Sequence, residues 1–316
     1  MVGTVLRRLA VFVASLAVST VVVFAFMVLL PGDPARVALG TDASDAAVDQ
    51  LRHEFGLDRP LPVQYASWIG GLLTGRLGTS YVSGAQIGPQ LADRLQVSLI
   101  LVLASMVVAV VVAVPLGVWM AVRHRRPIGV VLSALAQLGV AVPAFLAGIL
   151  LITIFAVRLG WLPANGWTPP AVDPVMFVRQ LVLPALALGL VQGAVLTRYV
   201  RSAVLDVLRE DYLRTARAKG LRPAQALWRH GLRNAAVPVV TVLGLQLATT
   251  LVGAVVVERV FVIPGLGSLL LDAVGNRDLL VVQDVVMVLV AAVLLVNLLV
   301  DVLYVVLDPR LRLGDA

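Results

Sequence analysis

The chain has 316 residues, of which 60% are hydrophobic and 14% are charged, and its mean hydropathy is +0.97. A soluble domain of that apolarity would expose aggregation-prone surface, so the composition favours a multi-span membrane protein. The net charge of +7 is interrupted by long apolar segments, which is typical of loops at a membrane surface rather than of a nucleic-acid-binding surface. Because the chain has no Cys, disulfides and thiolate metal sites are excluded.

Six apolar segments are long enough to be predicted as transmembrane helices. They are residues 9–30, 97–122, 128–157, 181–200, 235–257 and 281–307. The first follows Arg7 and Arg8, but its apolar run is too long for the core of a signal peptide, so we expect a retained helix. The predicted fold class is an all-α membrane protein with about six transmembrane helices.

The distribution of Arg and Lys predicts the orientation of these helices. The basic residues of the short loops and of the two ends fall on one side, which predicts that both termini are cytoplasmic. They are Arg7, Arg8, Arg123, Arg125, Arg126, the run from Arg198 to Arg233, Arg310 and Arg312. The predicted domains are 1–30 (N-terminus and first helix), 31–96 (extracytoplasmic segment), 97–307 (five-helix core with a cytoplasmic loop at 201–234) and 308–316 (cytoplasmic tail).

The segment 31–96 is too long for a plain connector between two helices. Asp45 is predicted to cap a helix that ends at Phe55, with Val48 and Leu51 on the face of Phe55 and with Gly56 closing the helix. The sequence thus predicts a small extracytoplasmic helical subdomain after the first span. Structural padding and a landing site for a soluble partner both fit this pattern.

The most polar segment between two spans, residues 209–238, reads REDYLRTARAKGLRPAQALWRHGLRNAAVP. It predicts two short helices, because Gly220 tolerates the positive φ that ends a helix and Pro223 suits a first helical turn. A basic segment of this kind is either a docking element for a cytosolic partner or a loop lying on anionic lipid. Charge alone does not separate the two.

The residue order in this segment resembles the cytoplasmic coupling loop of binding-protein-dependent ABC importer permeases of the dipeptide/oligopeptide type. The peptide branch resembles D-Y-x-R-T-A-R-A-K-G-L followed by R-H-x-L-R-N, and both strings occur here, at 211–221 and 229–234. The chain departs from the wider superfamily, where E-A-A stands three residues before the Gly and I-x-L-P follows. Arg214 and Thr215 replace the Glu and the first Ala, and residues 230–233 read HGLR.

Other stretches spread over most of the chain resemble the same branch in the same order. They are LPGDP at 30–34, LGTS at 77–80, VPAF at 142–145, LPAL at 183–186, ERVF at 258–261, PGLG at 264–267 and DPR at 308–310. The LPAL stretch is predicted to open the fourth span. A segment such as 31–96 after the first span is similar to the first of the two permease subunits in these heteromeric complexes.

The resemblance implies a permease that is not itself catalytic, in the bacterial inner or plasma membrane, moving peptides that an extracytoplasmic solute-binding protein delivers. The other implied partners are a second homologous permease, two cytosolic ATPase subunits, which bind ATP and Mg, and the lipid bilayer. No nucleic acid is expected as a partner. It implies ATPase coupling by Asp211, Tyr212, Arg214, Thr215, Ala216, Arg217, Ala218, Lys219 and Gly220. It also makes Glu258, Phe261, Pro264, Gly265 and Gly267 candidates for contact with the binding protein.

No cofactor or metal is expected on this chain. The sequence contains no G-x-x-x-x-G-K-[ST] loop and no H-E-x-x-H pair, and His53, His124 and His230 are far apart. An enzyme would need a nucleophile beside a base, or a pair of carboxylates, and the predicted spans contain neither arrangement. We therefore do not expect an enzyme.

Polar residues inside the predicted spans are candidates for a solute pathway. They are Gln137, Gln192, Gln246, Thr249, Thr250, Asn297 and Asp301. Asp301 is the only acid well inside a predicted span, and such a residue is a functional candidate by default. A hydrogen bond to a neighbouring helix near the interface is the preferred interpretation of Asp301.

Other functions fit parts of the sequence. A secondary, ion-coupled transporter using Asp301 as a proton site predicts paired broken helices, and no convincing pair is visible. An ABC permease for another small solute, such as glutathione, a metal chelate or haem, fits the same motifs. A membrane scaffold predicts that disruption of the loop at 201–234 leaves transport intact.

Overall fold

The computed structural model describes residues 2–30, 32–40, 43–124 and 126–307. These residues are predominantly α-helical, and their β-pairing is limited to one isolated bridge between Thr79 and Gln86. Some residues named in the sequence motifs lie outside the described residues, namely Pro31, Arg125 and the tail at 308–316.

Thirteen α-helices cover the described residues. In chain order they are α1 (Val2–Leu29), α2 (Pro34–Leu39), α3 (Asp45–Glu54), α4 (Leu61–Thr74), α5 (Ile87–Val122), α6 (Pro127–Ala141), α7 (Ala144–Leu151), α8 (Pro174–Leu208), α9 (Asp211–Ala218), α10 (Pro223–Ala226), α11 (Leu232–Val260), α12 (Leu266–Gly275) and α13 (Leu279–Leu307). Two π-helical turns, Ile152–Arg158 and Leu227–Gly231, follow α7 and α10.

Five helical stretches of the described chain are long and apolar enough to cross a membrane. They are Val5–Leu29, Ile87–Val122, Pro174–Leu208, Ala224–Val260 and Leu279–Leu303. The predicted third span, 128–157, is instead a pair of helices bent by 100°. The break falls at Val142, which is extended because the following Pro143 disfavours the helical region for the residue before it.

The fourth span begins well before the predicted Leu183-Pro184. Asp173 caps α8, since its Oδ1 accepts hydrogen bonds from the backbone N–H groups of Val175 and Met176, each at 2.9 Å. Pro174 occupies the first helical position, where its missing N–H costs nothing. The prediction that Pro184 opens the span was wrong, because a capped helix already runs through it and buries it.

The predicted cap of α3 was wrong by one residue. Ser44, not Asp45, is the N-cap, and its hydroxyl accepts from the backbone N–H of Ala47 at 3.4 Å. Asp45 is the first helical residue, where a carboxylate favours the positive end of the helix dipole. The predicted inner face and helix end are confirmed, because Val48 is buried and Gly56 has a φ of 68°.

The chain divides into two compact units. The first comprises Met1–Arg8, Leu99–Ile263 and Val296–Ala316, and the second comprises Leu9–Ser98 and Pro264–Leu295. The core of the first unit is formed by α5, α8, α9 and α11. Helices α5 and α8 pack so closely that a Cβ added at Gly189 would lie 2.6 Å from the Cβ of Val108. The core of the second unit joins the end of α1 and the start of α5 to α12 and α13.

Candidate functional site

The first candidate site is the α9–α10 segment, which we define as residues 209–234 between α8 and the body of α11. Helix α9 ends as the sequence predicts, because Gly220 has a φ of 93°. The backbone N–H of Gly220 donates to the Arg217 carbonyl at 3.0 Å, and that of Leu221 donates to the Ala216 carbonyl at 3.3 Å. A positive φ at this position closes the helix, and only glycine adopts it without strain.

The second predicted short helix is not separate from the next span. Helix α10 begins at Pro223, as predicted, but α10, the π-helical turn and α11 form one continuous helix over Ala224–Val260. A π-helical turn inserts a residue without breaking the helix, so α10 is the first turn of a span. The segment is therefore one short helix, one turn and the beginning of a long helix.

One face of the segment is anchored in the core of the first unit. Leu213 of α9 is only 3% exposed, and Leu227 of the π-helical turn is also buried. Both belong to the core cluster that contains Val207 of α8 and Ala235 of α11. A leucine buried in this way contributes about 1.5–3 kcal/mol, so α9 is packed firmly onto the ends of two spans.

The opposite face of α9 is exposed and predominantly basic. Of the nine coupling candidates, Ala216 is half-buried and the other eight are exposed. Arg214 pairs with Asp211 at 3.1 Å, whereas Arg217 and Lys219 form no salt bridge within the part of the chain that the structure describes. The hydroxyl of Tyr212 accepts a hydrogen bond from Asn234 Nδ2 at 2.9 Å, which links α9 to the start of α11.

The sequence motifs did not single out the residues that anchor the segment. Leu213 and Leu227 lie in a segment rich in basic residues, and only their apolar character could have indicated burial. Trp228 follows Leu227 and is exposed, so it adds a large apolar ring to the surface that the basic residues share.

Three of the pathway candidates lie together around Gln246 of α11. Gln246 is buried, and its Nε2 donates to the backbone carbonyl of Gln192 at 3.2 Å. The hydroxyls of Thr249 and Thr250 both donate to the Gln246 carbonyl, at 2.9 and 2.6 Å. Gln246 Oε1 is buried without a hydrogen-bond partner among the described residues, so this amide retains one free acceptor. Gln137 is exposed and is not part of the group.

The remaining polar span residues lie on α13. Asn297 is half-buried, and Asp301 forms an ion pair with Arg8 of α1. The pair links two helices near their ends, which supports the structural interpretation of Asp301. An acid in a membrane helix is most easily accommodated by such a partner.

Most candidates for contact with a binding protein are buried. Glu258, Phe261, Gly265 and Gly267 are buried, and Pro264 is half-buried. The ring of Phe261 packs so closely on α7 that a Cβ on Gly148 would lie 2.8 Å from its Cε2. Their contact with a binding protein stays a prediction. For such contact, either these side chains rearrange or the binding protein touches their exposed neighbour Val262 instead.

The comparisons with known proteins identify the class. Residues 113–313 match the family described as binding-protein-dependent transport system inner membrane component, and residues 1–103 match the corresponding N-terminal family. The chain belongs to this family of multi-pass membrane permeases of ABC importers. Such a permease is not catalytic itself and works with the ATPase and binding-protein components of its system.

Two relatives extend over nearly the whole chain. The glutathione transport system permease protein GsiC of Salmonella choleraesuis is 43% identical over 316 residues, covering 99% of this chain and 99% of the relative. The Probable peptide ABC transporter permease protein y4tP of Sinorhizobium fredii is 38% identical over 308 residues, covering 98% of both.

A solved structure supports the fold. The MetNI methionine ABC transporter, in an inward facing conformation, matches with a TM-score of 0.58 at 19% identity, over 69% of this chain and 96% of the solved chain. The two chains thus share a fold.

Proposed function

We propose that this chain is one of two permease subunits of an importer for short peptides that an extracytoplasmic binding protein delivers. Two cytosolic ATPase subunits bind the ATP and Mg of the cycle. The peptide class is supported by the relatives, one named for peptides and one for glutathione, which is itself a tripeptide. We further propose that it is the first of the two subunits, because the long segment 31–96 after the first span resembles that subunit.

The observation that carries the coupling mechanism is the two-faced packing of α9. Its exposed basic face is available to an ATPase, while Leu213 joins it to the ends of α8 and α11. Closure of the ATPase dimer pushes on α9, and because α9 is short and packed on two spans, it moves them as a unit. The spans tilt and open the pathway outward, and hydrolysis restores the inward state.

The orientation follows from this role. We infer that α9 and both termini are cytoplasmic and that the α2–α4 helices face the outside. Tags near Trp167 and near Gly275 are expected to react with an impermeant reagent in intact cells, and a tag near Ala224 only after permeabilisation. External labelling near Ala224 contradicts the coupling mechanism together with the orientation.

A proline in α9 tests the coupling role. Ala218 is the last residue of α9, where proline loses the N–H of the final turn and disfavours the helical conformation of Arg217, so we expect a cost below the about 3 kcal/mol of a helix interior and a disordered end of α9 while the spans still insert. Membrane abundance, ATPase co-purification and ATP-dependent dipeptide uptake are measured on the same preparation. We expect normal abundance with loss of either the ATPases or uptake. Ala218→Gln is the matched control, because glutamine at the same site keeps the helix.

Glycine substitutions separate backbone strain from bulk. Gly220→Val places a β-branched residue at a φ of 93°, whereas Gly275→Val makes the same change at a helix end without positive φ. Both sites have open space for a Cβ. We expect uptake to fall only in Gly220→Val. Unmodified uptake with bound ATPases in both Ala218→Pro and Gly220→Val would mean that the segment is a passive loop.

A further inference from the structure

The second unit contains an open cavity, lined in part by the LPGDP and LGTS stretches, for which the resemblance to permeases gives no role. Its volume is about 570 Å³, within the range of about 300–1,000 Å³ that is usual for small-molecule sites. The walls come from the end of α1, from α3 and α4 with the turn between them, from the loop 76–81 and from the first turns of α13.

One wall of the cavity is aromatic and has acidic groups behind it. Trp68 and Tyr81 both line the cavity, and the Tyr81 ring stacks on Phe55 with centroids 4.2 Å apart. Trp68 Nε1 donates to Asp284 Oδ1 at 2.8 Å, while the hydroxyl of Ser80 and the backbone N–H of Tyr81 donate to Asp278. Aromatic ring faces favour a cation, above all an ammonium group, and the Asp278 carboxylate beside Tyr81 adds negative charge to this wall.

The same wall has unsatisfied hydrogen-bonding capacity. Asp284 is 0% exposed, and its Oδ2 has no hydrogen-bond partner among the described residues. Gln283 lines the cavity, is 7% exposed, and has an Nε2 that is likewise without an acceptor there. Buried polar atoms of this kind usually have a partner, and because this Nε2 has no surface open to the cavity, it reaches a ligand acceptor such as a peptide carbonyl only when the Gln283 side chain rotates.

Two arginines supply the opposite charge. Arg59 and Arg76 line the cavity, and neither forms a salt bridge within the described part of the chain. Arg52 also lines it, but its guanidinium is already paired with Asp33 at 2.6 Å and with Asp49 at 2.7 Å. A free guanidinium is suited to bind a carboxylate through two parallel hydrogen bonds.

Burial keeps Tyr81 in its neutral form. Burial, assisted by the Asp284 and Asp278 carboxylates, raises the pKa of Tyr81 to about 12. An ordinary phenol, with a pKa of about 10, is already protonated at neutral pH, and burial extends this range, so the Tyr81 hydroxyl is available as a donor.

We propose that this cavity binds a short zwitterionic peptide, with its ammonium group at the Trp68–Tyr81 wall and its carboxylate at Arg59 or Arg76. A rotation of the Gln283 side chain brings its Nε2 to a peptide carbonyl. This proposal rests on the proposed peptide transport, and it adds an acceptor site on the permease itself, outside the polar group around Gln246. An anionic phospholipid fits less well, because Asp33, Glu54 and buried Asp278 place negative charge in and behind the same walls.

The test uses the complete permease–ATPase complex without its binding protein, in phosphatidylcholine nanodiscs. Equilibrium dialysis measures binding of radiolabelled alanyl-leucine, N-acetyl-alanyl-leucine and alanyl-leucine amide. We expect saturable binding of the free dipeptide at one site per complex. Capping either end removes one charge, and we expect each cap to weaken binding about tenfold, which corresponds to about 1.4 kcal/mol.

Variants locate the site. Gln283→Met removes the donor at similar volume, and Arg76→Gln removes a guanidinium, so each is expected to weaken binding about tenfold. Gln96→Met and Arg94→Gln are the matched controls, because these residues do not line the cavity, and they are expected to bind normally. Trp68→Phe reduces the aromatic surface of the wall and also removes the hydrogen bond to Asp284, so it tests both together.

Three outcomes overturn the proposal: no saturable binding, equal affinity for the capped peptides, or equal loss in the control variants. Retention of one anionic phospholipid per complex, lost in Arg76→Gln, makes the cavity a lipid site instead. Uptake of alanyl-leucine with the binding protein is measured in parallel. If uptake proceeds while the complex alone binds nothing, only the cavity proposal fails. If no peptide is bound or transported, the proposed function fails too.

Discussion

The α9–α10 segment and the α2–α4 segment (residues 32–86) both connect long apolar helices, yet they are held by different forces. In the first, buried Leu213 and Leu227 supply the anchoring, and its hydrogen bonds lie at the surface. In the second, side-chain hydrogen bonds and ion pairs supply much of it. Trp68 to Asp284 and Ser80 to Asp278 are internal, whereas Arg52 to Asp33 lies nearer the surface.

This difference matches the work that each segment has to do. Apolar contacts are non-directional, so a helix anchored by them keeps its attachment while the helices beneath it tilt. Buried hydrogen bonds are directional and costly to leave unmade, so they fix one geometry. The α9–α10 segment is thus suited to transmit a movement, and the α2–α4 segment is suited to keep a shape.

The largest effect is expected where the apolar anchor of α9 is removed. Leu213→Ala is expected to cost about 2–5 kcal/mol, as for other buried leucines, and to loosen α9 from the spans. We expect ATP-dependent uptake in proteoliposomes to fall about tenfold or more, since 1.4 kcal/mol already corresponds to tenfold. The exposed basic face still binds the ATPases, so co-purification is retained.

Leu73→Ala is the matched control for this change, because Leu73 of α4 is 83% exposed. It removes the same atoms from a surface position and is expected to leave uptake unchanged. Equal uptake in Leu213→Ala and the control would show that the anchoring of α9 does not carry the coupling.

A smaller effect is expected in the α2–α4 segment. Ser80→Ala removes the hydroxyl that donates to buried Asp278, at a cost of about 1–3 kcal/mol. Amide hydrogen exchange over residues 76–86 is expected to accelerate, with a smaller loss of uptake than in Leu213→Ala. Ser83→Ala, at an exposed position of the same loop, is the control. Unchanged exchange in Ser80→Ala would contradict the view that buried polar contacts hold this segment.

The smallest effect is expected at Asp301. On the structural interpretation Asp301 only joins α13 to α1 through its ion pair with Arg8, and a polar contact between membrane helices contributes about 0.6–2 kcal/mol, so Asp301→Asn is expected to keep most of the uptake. The exchanged pair, Arg8→Asp with Asp301→Arg, controls for the loss of the ion pair itself. An ion-coupled transporter would be favoured by two results together: Asp301→Asn loses uptake, and the unmodified permease keeps uptake when its ATPases are absent.

The local sequence was informative wherever a short-range rule decides the structure. Gly220 ends α9 and Pro223 begins α10, because positive φ and a missing N–H are properties of single residues. The same rules were less reliable where two signals competed. The fourth span was predicted to begin at residue 181, near the LPAL stretch, but the helix already begins at Pro174, because the Asp173 carboxylate caps it.

By itself, the sequence determined that the chain spans a membrane and where its main apolar helices lie, because hydropathy over about twenty residues is a local property. Motif order indicated the permease family. Only the tertiary structure decided the 100° bend between α6 and α7, the pairing of Asp301 with Arg8, and the burial of Phe261 against Gly148. Each of these depends on residues distant in the chain or on the direction a helix takes after a break, and no local pattern encodes either.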